Sequence, residues 1–328
     1  MERKLIENIV TASGITNGEL VLVQFWGEDK DIEIMHIAAD TVASLGASPV
    51  EMQQSRTVNT QRFTGIKESA FNEKYFAHMS NFDAVIDIFS YPPVVLENTP
   101  DNFQMDIYRK YMGNLFGALS KVKRFTQIRV PTEENAKESN LSYEEYRSRM
   151  LMAMDIDYKA LQQNCEDSVN KLCEKTELTL ITGDNYKLQF ELGDRKWLID
   201  AGDGDIPAGE VYIAPLENKT NGTVFFETLF AGHFGKFTNI LLTVENGIVI
   251  TTNNDVLNEN FAKLDDASKT VCELGFGQNP HINSLCGYAV LDEKAQNTFH
   301  IAIGNNTMFG GKNNAPLHMD FVGTGKIL

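Results

Sequence analysis

Apolar positions in the first part of the chain alternate between two rhythms. GELVLVQF, with its apolar centre at residues 19–25, is a short unbroken run rich in branched side chains, as in a strand covered on both faces. IEIMHIAADTVASLGA then spaces its apolar residues at helical intervals and stops at Gly46, placed as a C′ residue. FDAVIDIF repeats the strand pattern. Tyr108, Met112, Leu115, Phe116 and Leu119 recur at i, i+4, i+7, i+8 and i+11, one face of a helix, and RFTQIRVP closes the series as a strand. This alternation predicts an α/β N-terminal domain over residues 1–140, built on a parallel sheet flanked by helices.

A polar stretch, PTEENAKESNLSYEEYRSRM, separates the halves. Within it Ser142 and Glu145 form a capping-box pattern, which predicts a connecting helix over residues 141–175. Beyond it the rhythm shortens. ELTLITGDNYKLQFELGDRKWLIDAGDG is broken by Gly183-Asp184-Asn185 and Gly193-Asp194, and FTNILLTVENGIVITTNN by Asn246-Gly247, all hairpin signals. Residues 176–328 are therefore expected to form an α+β C-terminal domain with mostly antiparallel sheet.

Composition narrows the function. A chain of 328 residues has room for two domains, each with its own core. Its 42% hydrophobic and 23% charged residues are those of a globular protein. A net charge of −16 argues against a nucleic-acid partner, because phosphate binding needs a basic face and the sequence shows none. No apolar run approaches the ~20 residues of a membrane span, and the N-terminus lacks a signal-peptide core. Cys165, Cys173, Cys272 and Cys286 have no metal-site spacing and read as reduced thiols. A cytoplasmic location with no membrane partner is expected.

HExxH, the phosphate-binding Walker loop and GxSxG are all absent. GFGQNP opens like a dinucleotide fingerprint, but Pro280 stands where the third glycine belongs. What remains are metal-ligand types in the last third of the chain. In an extended LHMDF, His318 and Asp320 share one face, a nitrogen and an oxygen donor suited to Zn²⁺, Mn²⁺, Co²⁺ or Fe²⁺. A surface histidine beside a surface aspartate is the bland alternative. His300 alternates with Ile301 and Ile303 and shares its face with the small Ala302 and Gly304, which leaves room for a metal or substrate close to the backbone; a satisfied core histidine is the bland alternative. Glu273 sits in the apolar VCELGFGQNP, where an unpaired carboxylate is costly. Glu210 begins a β-rich run after Pro207-Ala208-Gly209, where a solvated glutamate is the ordinary case. Asp200, Asp203 and Asp205 lack the spacing of a calcium loop and read as an acidic loop. His36, His78, His233 and His281 read as structural or exposed.

Taken in order, PAGEVYIAP, ELGFGQNP, HIAIGNN and LHMD resemble the thermophilic-type metallo-aminopeptidases of peptidase family M29, and the LSYEEY connector with Asp157-Tyr158 extends the likeness over most of the chain. The resemblance implies a homodimer with two divalent ions (Zn, Co or Mn) held by Glu210, Glu273, His300, His318 and Asp320. It implies hydrolysis of the first peptide bond of small peptides with a free N-terminus by metal-activated water, with Glu210 or Glu273 moving the proton. Two departures stand out. Thr307 occupies the place of a tyrosine that the family uses near the oxyanion, and the interval from His300 to His318 is shortened. Two other readings stay open. Ring-cleaving dihydroxypyridine dioxygenases are similar in fold and hold one Fe(II) on two histidines and a carboxylate, which His300, His318 and Asp320 could supply; the two glutamates favour the hydrolase. A catalytically silent metal-binding homodimer is the third.

Overall fold

A strand covered by helices on both faces must be largely apolar, and two of the runs predicted from the sequence meet that condition. β1 (Leu20–Trp26) and β3 (Ala84–Phe89) are buried almost end to end. They lie inside a five-stranded sheet of order β2-β1-β3-β4-β8, with β2 (Ser48–Gln53), β4 (Arg124–Arg129) and β8 (Asp205–Ile206), parallel throughout. β2 is an edge strand, mostly exposed and carrying Pro49, so hydrophobic patterning does not announce it. The helix Glu33–Ser44 ends at Gly46, whose φ of 84° lets Ala47 donate back to the Val42 carbonyl. In the helix Asn102–Leu119, Tyr108, Met112, Leu115 and Leu119 pack into one core with Leu22, Trp26 and Phe63.

The computed structural model describes residues 1–93, 96 and 102–328. It divides into one unit of Met1–Tyr158 with Gly202–Ala208, and another of Lys159–Ala201 with Gly209–Leu328. Ser142 accepts from the Glu145 amide at 3.3 Å and caps the helix Tyr143–Met154; the run read as one connecting helix forms two, the second being Tyr158–Leu172.

The second unit holds two antiparallel sheets. One has the order β12-β11-β10-β6-β5-β16, built from β5 (Glu177–Thr182), β6 (Tyr186–Glu191), β10 (Asn221–Phe230), β11 (Lys236–Glu245), β12 (Ile248–Thr252) and β16 (Lys326–Ile327). The other has the order β15-β14-β13-β9-β7, from β7 (Leu198–Asp200), β9 (Glu210–Ile213), β13 (Val271–Gly277), β14 (Phe299–Gly304) and β15 (His318–Gly323). Asn246 and Gly247, both with positive φ, turn the chain between β11 and β12 as their sequence predicts. Phe226 of β10 meets Phe299 and Phe321 at ring-centre distances of 5.7 and 6.4 Å, so one face of the five-stranded sheet is consumed by packing. Leu274, Ile301 and Ile303 lie on that same buried face, one residue out of phase with Glu273, His300 and Ala302. Among the described residues, no helix is long and apolar enough to cross a membrane.

In the first unit, Asp87 of β3 is fully buried, and its Oδ1 accepts from Gln24 Nε2 and Trp26 Nε1, both at 2.8 Å. Burial outweighs those bonds and pushes its pKa up to about 7. The folded state thus holds a proton that the unfolded chain releases near its ordinary value of about 4. Stability at this residue is greatest below about pH 4 and is lost as pH rises towards about 7. Asp87→Asn is expected to flatten that part of the profile, checked by urea denaturation of both proteins between about pH 5 and pH 8.

Candidate metal centre

Side chains alternate across a strand, so packing one face of the sheet against Phe226 leaves every second residue on the other face. Glu210 and Tyr212 from β9, Glu273 from β13, His300 from β14, and His318 and Asp320 from β15 share it. Register brings them side by side: Ala302 stands between Glu273 and Asp320, while Gly275 stands between Tyr212 and His300. The five residues singled out in the sequence are therefore neighbours.

Two groups form. Glu210, Glu273 and His300 place one donor atom each within 4.8 Å of one another, and so do Glu273, His318 and Asp320. Glu273 belongs to both: its Oε1 is 3.1 Å from His300 Nε2 and its Oε2 is 3.4 Å from His318 Nε2. Asp320 Oδ1 is 3.5 Å from His318 Nε2, and Glu210 Oε2 is 3.3 Å from His300 Nε2. His300, His318 and Asp320 do not form such a group among the described residues, because Glu273 stands between the two imidazoles.

The imidazoles differ in support. His318 Nδ1 donates to the Asn305 carbonyl at 2.8 Å, which leaves Nε2 directed at the carboxylates. His300 Nδ1 is buried without a hydrogen-bond partner. Room for the His300 ring itself comes from Gly275, across the ladder, while Ala302 is the small residue between Glu273 and Asp320. A Cβ on Gly275 would stand 2.1 Å from His300 Nε2.

Charge sets the protonation of the cluster. Burial pulls His300 down, but its contact with Glu273 and the charges of Glu210, Glu273 and Asp320 push its pKa up to about 9. Burial also opposes protonation of His318, yet Asp320 and the Cys272 thiol raise it to about 12. Burial raises Glu273, whereas His318 outweighs burial at Asp320 and lowers it. Carboxylates and imidazoles whose oxygens and Nε2 atoms converge in this way fit a divalent cation, which would replace the protons now shared between them.

Sequence reasoning missed several members of this surroundings. Lys294 is 1% exposed, and its Nζ lies 2.5 Å from Glu210 Oε1, 2.9 Å from Glu293 Oε1 and 3.6 Å from Asp200 Oδ2. Asp200, read as part of an acidic loop, ends β7 directly opposite Glu210. In LDEKAQ nothing distinguishes Lys294 and Glu293 from surface charge. Tyr212 could have been found, since it lies two residues beyond Glu210 in a strand. Its ring meets Phe309 edge-on at 5.6 Å, and burial with the nearby Glu210 and Asp200 raises its pKa. Thr307 is exposed and its hydroxyl donates to Asn305 Oδ1 at 2.8 Å.

An α/β unit followed by antiparallel sheets that carry a cage of carboxylates and imidazoles defines a protein with a candidate metal centre, and the family comparison gives its class. The profile of the thermophilic metalloprotease family, M29, matches residues 6–325, and the chain belongs to that family. No curated protein matches at the sequence level. Two solved structures are similar in fold. Wild-type AmpT from Thermus thermophilus superposes with a TM-score of 0.66 at 15% identity, over 99% of this chain and 94% of its own. A 2,5-dihydroxypyridine dioxygenase from Pseudomonas putida KT2440 gives the same TM-score and identity over 99% of this chain and 92% of its own.

Gly275 tests how tightly the cage is built. Gly275→Ala is expected to force His300 from its place and to destabilise the fold by about 1–3 kcal/mol, read from the shift in denaturation midpoint at unchanged slope.

Proposed function

We propose that this protein is a metal-dependent aminopeptidase that releases the first residue of small peptides. The observation that carries the reading is Glu273, one carboxylate shared by two imidazole-bearing triads in a member of a metalloprotease family. Zn, Co and Mn all suit donors of this kind, and the family resemblance implies two ions, with Glu210, Glu273, His300, His318 and Asp320 as their ligands. A bound divalent ion supplies Lewis-acid polarisation of the scissile carbonyl and a water acidic enough to act near neutral pH.

The residues of the chain do the rest. His318, held by Asn305, keeps its Nε2 turned inward without reorganisation during the reaction. Glu210 is fastened through Oε1 by Lys294, so Glu273 is the better of the two glutamates for taking a proton from the attacking water and passing it to the leaving amine. Glu273 and Asp320, the two acids of the cage that Lys294 does not hold, favour a substrate ammonium, the basis of the proposed selectivity for a free N-terminus. Tyr212, the phenol on this face, supplies the hydroxyl that Thr307 does not. A homodimer in the cytoplasm belongs to the same reading, and sedimentation of the purified protein checks the dimer.

Glu273→Gln preserves shape and removes the shared charge. It is expected to lower kcat/KM on aminoacyl amides by about 10²–10⁴-fold, with the circular dichroism spectrum unchanged. Wild-type turnover under the same metal loading is the reference, and a variant within threefold of it would sink the assignment.

A further inference from the structure

Lys294 is the strongest candidate outside the five residues already placed. A buried ammonium is stable only when paired, and this one is ringed by Glu210, Glu293 and Asp200 at 2.5, 2.9 and 3.6 Å. The backbone holds it there. Asn279 donates to the Lys294 carbonyl at 2.8 Å, and Gln278 donates to the Gly209 carbonyl at 2.8 Å. Glycine is required at two of the contacts: a Cβ on Gly277 would stand 2.0 Å from the Ala295 carbonyl oxygen, and one on Gly209 would stand 2.9 Å from Asn279 Cβ. The motifs GEV and ELGFGQNP thus clamp the segment carrying Lys294 against the site.

The two triads are correspondingly unequal. In the group of Glu210, Glu273 and His300, a fixed cation already sits on Glu210, the group is buried, and His300 Nδ1 has no partner to orient the ring. In the group of Glu273, His318 and Asp320, the imidazole is anchored through Nδ1 and its side chain is 33% exposed, which leaves a path for an entering ion. Metal-ligating histidines nearly always donate through their second nitrogen, and His318 alone meets that rule.

Resting on the reading of this site as a metal centre, we propose that the Lys294 ammonium replaces one of the two expected ions, so that the protein retains a single divalent cation on Glu273, His318 and Asp320. A second cation on the inner group would face a fixed positive charge across one carboxylate. Removing the ammonium would uncover a latent position, because Glu210 Oε2 accepts no hydrogen bond and already lies 3.3 Å from His300 Nε2.

The test counts ions independently of turnover. The full chain is loaded with Mn²⁺, freed of excess by gel filtration, and measured by elemental analysis and electron paramagnetic resonance. The wild type is expected to hold about one equivalent with the spectrum of an isolated ion. Two equivalents, or the exchange-coupled signal of a carboxylate-bridged pair, overturns the proposal and leaves the metal-centre reading standing. No retained metal overturns both. His318→Ala is expected to lose its single ion, and a folded His318→Ala chain that keeps one equivalent on the inner group also overturns the proposal. Lys294→Met is expected to take up a second equivalent and to gain thermal stability with added Mn²⁺ beyond the gain of the wild type; a folded variant holding only one overturns it. Should Lys294→Met fail to fold, the wild-type count and spectrum and the His318→Ala variant decide the matter.

Discussion

Buried negative charge is the constraint on which the second unit depends. Asp200, Glu210 and Glu273 are buried within reach of one another's fields, and Glu293 and Asp320 join them. Removing such groups from water costs several kcal/mol each unless positive charge is supplied. Burial and the neighbouring acids leave Glu293 at about 8 even with Lys294 beside it. Lys294 and the two imidazoles supply part of that charge, and a divalent cation on these donors would supply more.

The sheet gathers these groups by a simple device. Its strands spend one residue in two on packing against Phe226 and the opposite sheet, which fixes their register, because a slip of one position would turn the acids into the core. With register fixed, residues far apart in the chain stand in adjacent rows, as Glu210, Glu273, His300 and Asp320 do. Glycine opposite His300 supplies the remaining volume. The loop after β14 is stabilised by its own asparagines: Asn306 Nδ2 donates to the Cys272 carbonyl at 3.1 Å, Asn306 Oδ1 accepts from the Asn313 amide at 2.8 Å, and Asn305 presents its carbonyl to His318. Those asparagines act as scaffold, and through Asn305 they orient a metal-ligand type.

The fold likeness to both AmpT and a dihydroxypyridine dioxygenase shows that this architecture accommodates more than one chemistry. The difference lies in which donors converge. Here a glutamate stands between the imidazoles, and the two-histidine, one-carboxylate set weighed from the sequence is not a group in the structure. Family membership and donor geometry therefore favour hydrolysis for separate reasons.

Hydrophobic rhythm was enough to reveal β1, β3, the helix ending at Gly46 and the Asn246-Gly247 turn, because burial on known faces and positive φ leave local signatures. It was enough as well to pair His318 with Asp320, since two residues along a strand always share a face. Convergence of five donors from β9, β13, β14 and β15 followed from recognising ordered motifs, and no local pattern contains it. Lys294, Glu293 and Asp200 were illegible: a charged residue among charged neighbours looks solvated, and only the approach of distant segments at Gly209 and Gly277 takes it out of water. Local sequence determined the buried strands and the capped turns, and within a strand which side chains share a face. Tertiary structure decided which charges meet, because electrostatic partnership depends on distance in space, and register between strands is set by the core as a whole.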